Sequence, residues 1–179
     1  APHPQDAGGE LVVRVIEGKD FAKMDGRRGL SDPYVKIKLQ EAKFQTAVIQ
    51  GSLNPRWNQT FKFQLDDNPY DDEIECEVLD WDAEGEDDTM GEFTIPLTRE
   101  LLHQARHRET GDEAISYSQR ELWVDLQGED DLGRAAKGQV CFRFEVRNEP
   151  PTLQRCIPQK FAKRMCQCHP LPSLLPESS

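Results

Sequence analysis

Acidic side chains crowd one short stretch of the chain. The segment DWDAEGEDD, residues 80–88, holds six acids in nine positions. At an effective dielectric of about 20, two like charges about 4 Å apart repel by roughly 4 kcal/mol. Such a loop either spreads its carboxylates into water or places a cation between them. Calcium prefers carboxylate and carbonyl oxygens, so calcium binding is the chemistry that these residues could perform.

The helix–loop–helix calcium motif does not fit this stretch. With Asp80 at the first position, the twelfth position falls on Gly91, where the motif requires a bidentate glutamate. Glu92 comes one residue late, and both flanking segments alternate as strands do. We therefore reject this motif.

A site shared between two loops fits better. Asp80 and Asp82 lie two positions apart after one alternating segment, and Asp88 precedes the next segment. Upstream, the segment KMDGRRGLSDPY places Asp25 and Asp32 in a second acidic loop. If both loops lie at one edge of a sandwich, five carboxylates surround a small volume. Two or three calcium ions would balance this charge, whereas the absence of His and Cys from the group argues against zinc.

Most of the chain alternates apolar and polar residues with period two, as half-buried strands do. In EIECEVL, for example, Ile74, Cys76 and Val78 alternate with glutamates. Seven other segments are strand candidates: ELVVRVIEG, YVKIKL, KFQTAVIQ, TFKFQL, EFTIPL, ELWVDL and QVCFRFEV. Turn-forming Gly, Pro, Asn and Asp separate the segments. This pattern predicts an all-β sandwich or barrel of eight strands.

The alternation also assigns each strand side chain to a face of its sheet. It predicts that Tyr34, Lys36 and Lys38 point outward on one strand. On the last two strands, it predicts that Cys141 points outward and Leu122 points inward.

Two segments depart from the alternation. Residues 97–109 carry Leu101, Leu102 and Ala105 at helical spacing, which predicts a short helix between the sixth and seventh strands. Residues 149–179 lose all periodicity and contain recurrent Pro, which is typical of a linker or tail. We therefore expect one domain over residues 9–148.

Composition excludes several classes of function. The chain has 22 Lys and Arg against 33 Asp and Glu, a net charge of −11, and this argues against a broad nucleic-acid surface. Its five cysteines are odd in number and sparse, so they form no disulfide framework and indicate a reducing, cytoplasmic setting. The first ten residues lack the pattern of a signal peptide, and no apolar run is long enough to span a membrane.

Taken together, these segments resemble the C2 domain family over about residues 9–148. The matching pieces, in the order of the family, are GELVVRVIEGKDF, MDGRRGLSDPYVKIKL, SLNPRWNQTFKF, VLDWDAEGEDDTMGEFTIPL and KGQVCFRFEV. The resemblance implies an eight-stranded antiparallel β-sandwich (C2 fold) that binds calcium in loops at one end. Because the domain begins at GELVVRVIEG and ends with QVCFRFEV, it is similar to the type II, phospholipase C-like topology.

The resemblance also implies which residues bind calcium. The implied ligands are five carboxylates and two backbone carbonyls: Asp25, Asp32, Asp80, Asp82 and Asp88, with Met24 and Trp81. The first loop is one residue longer than is common between its two aspartates. Gly85 stands where the family often has a further oxygen ligand. We therefore expect two calcium ions and regard a third as doubtful.

Lipid contacts are expected in two groups: Arg27, Arg28 and Leu30 in the first loop, and Tyr34, Lys36 and Lys38 in a partial match to a phosphoinositide-binding face. Gln45 and Ala47 replace the lysines expected on the next strand, so an ordinary wet strand face is the favoured interpretation of that second group. In the third loop, Glu84, Glu86 and Asp87 would repel an anionic membrane.

Two hypotheses follow for the function. The first is a monomeric calcium-binding module that moves from the cytosol to anionic phospholipid membranes when calcium binds. It would target its parent protein in membrane trafficking or signalling. The second is a calcium-stabilised module that binds a protein partner and has little affinity for membranes.

Other motifs are weaker. The segment CQCH, residues 166–169, lacks a second ligand pair for a metal site, and acylation of its cysteines is equally unsupported. His103 and His107 have a zinc-compatible spacing, but a solvated helix face explains them better. No nucleophile has a plausible base and no glycine loop could hold a phosphate, so we expect no catalytic activity.

Overall fold

The computed structural model describes residues 9–24, 30–106 and 121–147. These ranges contain eight strands and one α-helix: β1 (Gly9–Lys19), β2 (Pro33–Leu39), β3 (Ala42–Gln45), β4 (Arg56–Leu65), β5 (Glu73–Asp80), β6 (Asp88–Pro96), α1 (Arg99–Ala105), β7 (Leu122–Asp125) and β8 (Gln139–Arg147). A 3-10 helix, Pro69–Asp71, precedes β5. The predicted tail, residues 149–179, lies outside the described residues, so the domain boundary stays a prediction.

The strands form two antiparallel four-stranded sheets, with the orders β4-β1-β8-β7 and β3-β2-β5-β6. The prediction of an all-β, eight-stranded sandwich is therefore confirmed. The predicted helix is present between β6 and β7, and the Thr98 hydroxyl caps it by accepting a hydrogen bond from the Leu101 amide at 3.2 Å. Residues 107–109 of the predicted helix lie outside the described ranges. Assignment to the type II topology stays a prediction.

In most strands, the apolar residues of the alternating pattern are buried in the core, as predicted. Ile74, Cys76 and Val78 of β5 are buried, and their counterparts on the other strands join one apolar cluster between the sheets. The rings of Phe93 on β6 and Phe142 on β8 connect the two sheets edge to face, with centroids 5.7 Å apart. Burial of this apolar surface is the main force that holds the sheets together.

Three side chains differ in burial from what their predicted faces suggest. Cys141 is fully buried, because β8 is a central strand and Cys141 lies opposite the longer side chains of Glu17 and Trp123. Leu122 is exposed, because it begins the edge strand β7, where no further strand covers it. Tyr34 lies on the outward face but is buried, because it contacts loop 3, which is described below.

Loop 1, residues 20–32, is anchored at its start by Phe21. The Phe21 ring lies directly over two glycines, so that a Cβ added to Gly18 would lie 2.4 Å from Phe21 Cζ and one added to Gly138 would lie 2.3 Å from Phe21 Cδ1. The ring also packs near Trp57, at a centroid distance of 6.2 Å. The absence of side chains at these glycines makes room for the Phe21 ring, and the packed ring holds the chain in place where it leaves β1.

Gly138→Ala is expected to lower the free energy of unfolding by about 1–3 kcal/mol. The new methyl group would overlap Phe21 and lie 2.9 Å from the Lys19 carbonyl oxygen, and Gly138 also has a φ of +124°. Urea denaturation measures the loss. Gly128→Ala is the control, because Gly128 has a φ of +84° but its nearest neighbouring atom lies 3.9 Å away. Equal losses in the two variants would contradict the packing role of Gly138.

Candidate functional site

Four of the five predicted aspartate ligands lie at one end of the sandwich. Pro33 at the start of β2 is the strand partner of Asp80 at the end of β5, and Asp80 is in turn the partner of Asp88 at the start of β6. Asp32 immediately precedes Pro33, and Asp82 is two residues beyond Asp80. The register of three adjacent strands therefore brings the four aspartates to the same edge.

Two hydrogen bonds join the two acidic loops, one to the Asp80 side chain and one between backbone groups. Loop 3, residues 81–87, begins after Asp80, whose buried carboxylate accepts a hydrogen bond from the Asp32 amide at 2.5 Å. In return, the Trp81 amide donates to the Asp32 carbonyl oxygen at 3.1 Å. A buried carboxylate is costly unless polar partners compensate it. The pair of bonds therefore supports Asp80 at the junction of loops 1 and 3.

Loop 2, residues 46–55, reaches the same edge. The Gly51 amide donates to the Asp32 carboxylate at 2.6 Å, and the Ser52 amide donates to the Ser31 carbonyl oxygen at 2.8 Å. The Ser31 hydroxyl accepts a hydrogen bond from the Met24 amide at 3.0 Å. These bonds hold loop 1 at two predicted ligands, Met24 and Asp32.

The donor set at this edge suits calcium, because the predicted side-chain donors are carboxylates. Asp25, Arg27 and Arg28 lie outside the described residues. Within the described ranges, no three His, Cys, Asp or Glu side chains are arranged closely enough to hold a metal ion. Instead, the Asp32 and Asp80 carboxylates accept hydrogen bonds from backbone amides. These bonds partly offset the repulsion between the two negative charges.

Asp87 has a role that the sequence did not reveal. Its carboxylate accepts hydrogen bonds from the Tyr34 hydroxyl at 2.6 Å and from the Asp82 amide at 3.0 Å. The Tyr34 hydrogen bond, followed by that of the Asp82 amide, holds the pKa of Asp87 below its ordinary value. Burial, together with the bond to Asp87, raises the pKa of Tyr34. Asp87 is therefore a fastening point for loop 3, and its loop covers Tyr34.

The predicted lipid contacts on β2 interact with neighbouring side chains of the domain. The Lys38 amine pairs with the Glu75 carboxylate at 2.7 Å, and the Lys36 amine lies 5.8 Å from the centroid of the Tyr34 ring. These contacts agree with the interpretation of an ordinary strand face. Leu30 and Trp81 are both partly exposed, at 40% and 39% of their surfaces, at the loop end of the sandwich.

Two weaker motifs fall partly outside the structure. His103 is exposed on α1, and His107 lies outside the described residues, as does the segment CQCH at 166–169. No helix in the described part of the chain is both long and apolar enough to cross a membrane.

A fourth loop, residues 126–138 between β7 and β8, also reaches this edge. Arg134 donates a hydrogen bond to the Lys23 carbonyl oxygen of loop 1 at 3.1 Å. Asp131 accepts a hydrogen bond from the Thr89 amide, beside Asp88, at 2.6 Å. The sequence pattern of this loop predicts no role for it, because its partners are distant in sequence and the pattern resembles an ordinary polar turn.

Comparison with known proteins gives a consistent result. The family model of the C2 domain matches residues 9–112. Arrestin domain-containing protein B of Dictyostelium discoideum is 33% identical over 148 residues, which make up 82% of this chain and 21% of that protein. The mouse Ras GTPase-activating protein 4 is 30% identical over 88% of this chain and 18% of that protein. The chain thus spans about a fifth of the length of the curated relatives it matches.

Solved structures show the same fold. A single C2 domain of plant extended synaptotagmin 1 superimposes with a TM-score of 0.63 and 26% identity, over 79% of this chain and 96% of that chain. The calcium-bound pair of C2 domains of extended synaptotagmin 2 superimposes with a TM-score of 0.62 and 26% identity, over 82% of this chain and 48% of that chain.

Tyr34→Phe is expected to raise the pKa of Asp87 toward its ordinary value, because it removes the hydrogen bond that lowers this pKa most. A depressed folded-state pKa adds stability above about pH 4, and this stability is lost as the pH falls through the folded-state pKa. The wild type should therefore lose more stability on acidification than the variant. Carbon-13 NMR titration of the Asp87 carboxyl group measures the shift. Tyr70→Phe is the control, and an unchanged pKa in Tyr34→Phe would contradict the assignment.

Proposed function

Because the chain belongs to the C2 domain family, we propose that it is a calcium-binding module that docks on anionic phospholipid membranes when calcium is bound. The observation that carries this proposal is the convergence of Asp32, Asp80, Asp82 and Asp88 at one end of the sandwich. A calcium-bound structural neighbour supports it. The module has no catalytic activity of its own, and it brings its parent protein to membranes in trafficking or signalling.

The residues proposed to hold calcium are the five aspartates and two backbone carbonyls: Asp25, Asp32, Asp80, Asp82 and Asp88, with Met24 and Trp81. When bound, calcium supplies positive charge and open coordination positions for lipid phosphate oxygens. The chain offers carboxylate oxygens from two loops that are already joined by the bonds from the Asp32 amide to the Asp80 carboxylate and from the Trp81 amide to the Asp32 carbonyl oxygen. Gly85 has no side-chain oxygen to add, which favours two ions over three.

Charge makes the proposed docking conditional. Glu84 and Glu86 are exposed in loop 3, close in sequence to the aspartate ligands, so this end of the domain repels an anionic surface on its own. Bound calcium would neutralise the aspartate carboxylates and so remove their part of the repulsion, and an electrostatic switch of this kind needs no large change in shape. Arg27, Arg28 and Leu30 of loop 1 are then the proposed contacts with phosphates and acyl chains.

A second candidate function is a calcium-stabilised module that binds a protein partner. The exposed Glu84 and Glu86 favour it. These acids stay negatively charged after the aspartates are neutralised, so they would still oppose contact with an anionic membrane. A partner with basic residues at its surface would complement them.

Sedimentation with vesicles of phosphatidylserine and phosphatidylcholine separates these functions. We expect the wild-type protein to pellet with the vesicles in calcium and to stay in the supernatant when calcium is chelated. Asp80→Asn/Asp82→Asn should remain in the supernatant under both conditions, because it loses two proposed ligands.

The matched control is Asp66→Asn/Asp67→Asn, which removes the same charge from exposed residues after β4. These residues lie at the opposite end of the sandwich, since Leu65 pairs with Gly9 at the start of β1. The control should pellet as the wild type does. Failure of the wild type to pellet in calcium would refute the docking proposal and leave the protein-binding function.

A further inference from the structure

The fourth loop contains a closed turn, residues 130–134, built around the buried carboxylate of Asp130. This carboxylate accepts hydrogen bonds from the Leu132 amide at 3.1 Å, the Arg134 amide at 2.9 Å and the Arg134 Nε at 2.8 Å. The backbone closes the same turn, because the Asp130 amide donates to the Arg134 carbonyl oxygen at 2.8 Å. Charge-assisted bonds to a buried carboxylate are strong, so the turn is a well-defined unit.

The turn is fastened to loop 1 through Arg134. With Nε committed to Asp130, the Arg134 Nη2 donates to the Lys23 carbonyl oxygen at 3.1 Å and lies 3.3 Å from the Met24 sulfur. Met24 is itself buried, and it immediately precedes Asp25. One guanidinium group thus connects the turn to the backbone that carries two of the proposed calcium ligands.

The same turn is fastened to the start of β6, directly after loop 3, through Asp131. The Thr89 amide donates to the Asp131 carboxylate at 2.6 Å, and the Asp131 amide donates to the Thr89 carbonyl oxygen at 3.1 Å. Thr89 directly follows Asp88, and its hydroxyl donates to Glu77 at 3.1 Å. The backbone of Thr89 is therefore held through both its amide and its carbonyl group.

We propose that the turn at residues 130–134 sets the separation of loops 1 and 3, with Arg134 and Asp131 as the positioning residues for calcium binding. This inference rests on the proposed function. The two residues lie three positions apart in one hydrogen-bonded unit, and each binds backbone beside a proposed ligand. Neither needs to touch the ion.

The physical reason is the repulsion among the aspartates. Carboxylates gathered at one edge push their loops apart, and any spreading must be reversed before an ion can be shared between the loops. A support that bonds to the backbone from outside opposes this spreading and lowers the cost of ordering the site. In metal sites, outer partners that orient the ligands commonly change affinity by about 10–100-fold.

Calorimetric titration of calcium tests the role of Arg134. Arg134→Gln should weaken calcium binding by about tenfold, because it removes the connection to Lys23 and Met24. Lys137→Gln removes the same charge from an exposed position in the same loop and should change the affinity by less than about twofold. Asp131→Ala, an exposed position whose substitution leaves the core intact, should weaken binding as Arg134→Gln does, with Glu129→Ala as its charge-matched control.

A second readout distinguishes positioning from general stability. In calcium-free protein, hydrogen exchange of the Met24 amide should accelerate in Arg134→Gln, whereas exchange in the centres of β1 and β5 should not change. Calcium binding by the wild type with unchanged affinity in Arg134→Gln and Asp131→Ala would overturn this inference alone. No calcium binding by the wild type would overturn the proposed function together with this inference.

Discussion

The hydrogen bond from the Asp32 amide to the buried Asp80 carboxylate is the interaction on which this end of the molecule depends. It joins the loop that enters β2 to the strand that leaves the core at β5, and the Trp81 amide returns a bond to Asp32. This exchange opposes the mutual repulsion of two acidic loops at the position where the sheet ends. The pairing of β2 with β5 brings the two partners together, because Pro33 and Asp80 are opposite each other.

Backbone amides, the Tyr34 hydroxyl and the Arg134 guanidinium stabilise this concentration of charge in the described parts of the loops. Gly51 donates to Asp32, the Asp82 amide and the Tyr34 hydroxyl donate to Asp87, and a separate turn forms around Asp130. Each carboxylate in this set has its charge solvated by the protein itself. The described parts of these loops are consequently held in place by their own hydrogen bonds, and a site for a hard, multiply coordinated cation benefits from such pre-organisation.

Much of the fold could be predicted from the sequence, because alternation is a local signal. It located eight strands, although β3 ends at Gln45, well before the end of the predicted segment KFQTAVIQ, and the spacing of Leu101, Leu102 and Ala105 located α1. The site was predicted less completely. The burial of Tyr34 depends on a hydrogen bond to Asp87, 53 residues away, and Arg134 binds Lys23 across 111 residues. Periodicity carries no information about such pairs, since they form only when sheet register and loop path are both fixed.

A crystal structure of the domain grown with calcium, with anomalous diffraction to locate the ions, tests the central claim most directly. We predict two calcium ions between loops 1 and 3, with carboxylate oxygens of Asp80 and Asp82 at about 2.3–2.6 Å from them. We also predict that the bonds of Arg134 to Lys23 and of Asp131 to Thr89 persist. Loops 1 and 3 without ordered ions at saturating calcium, or ions bound only at other carboxylates, would contradict the account.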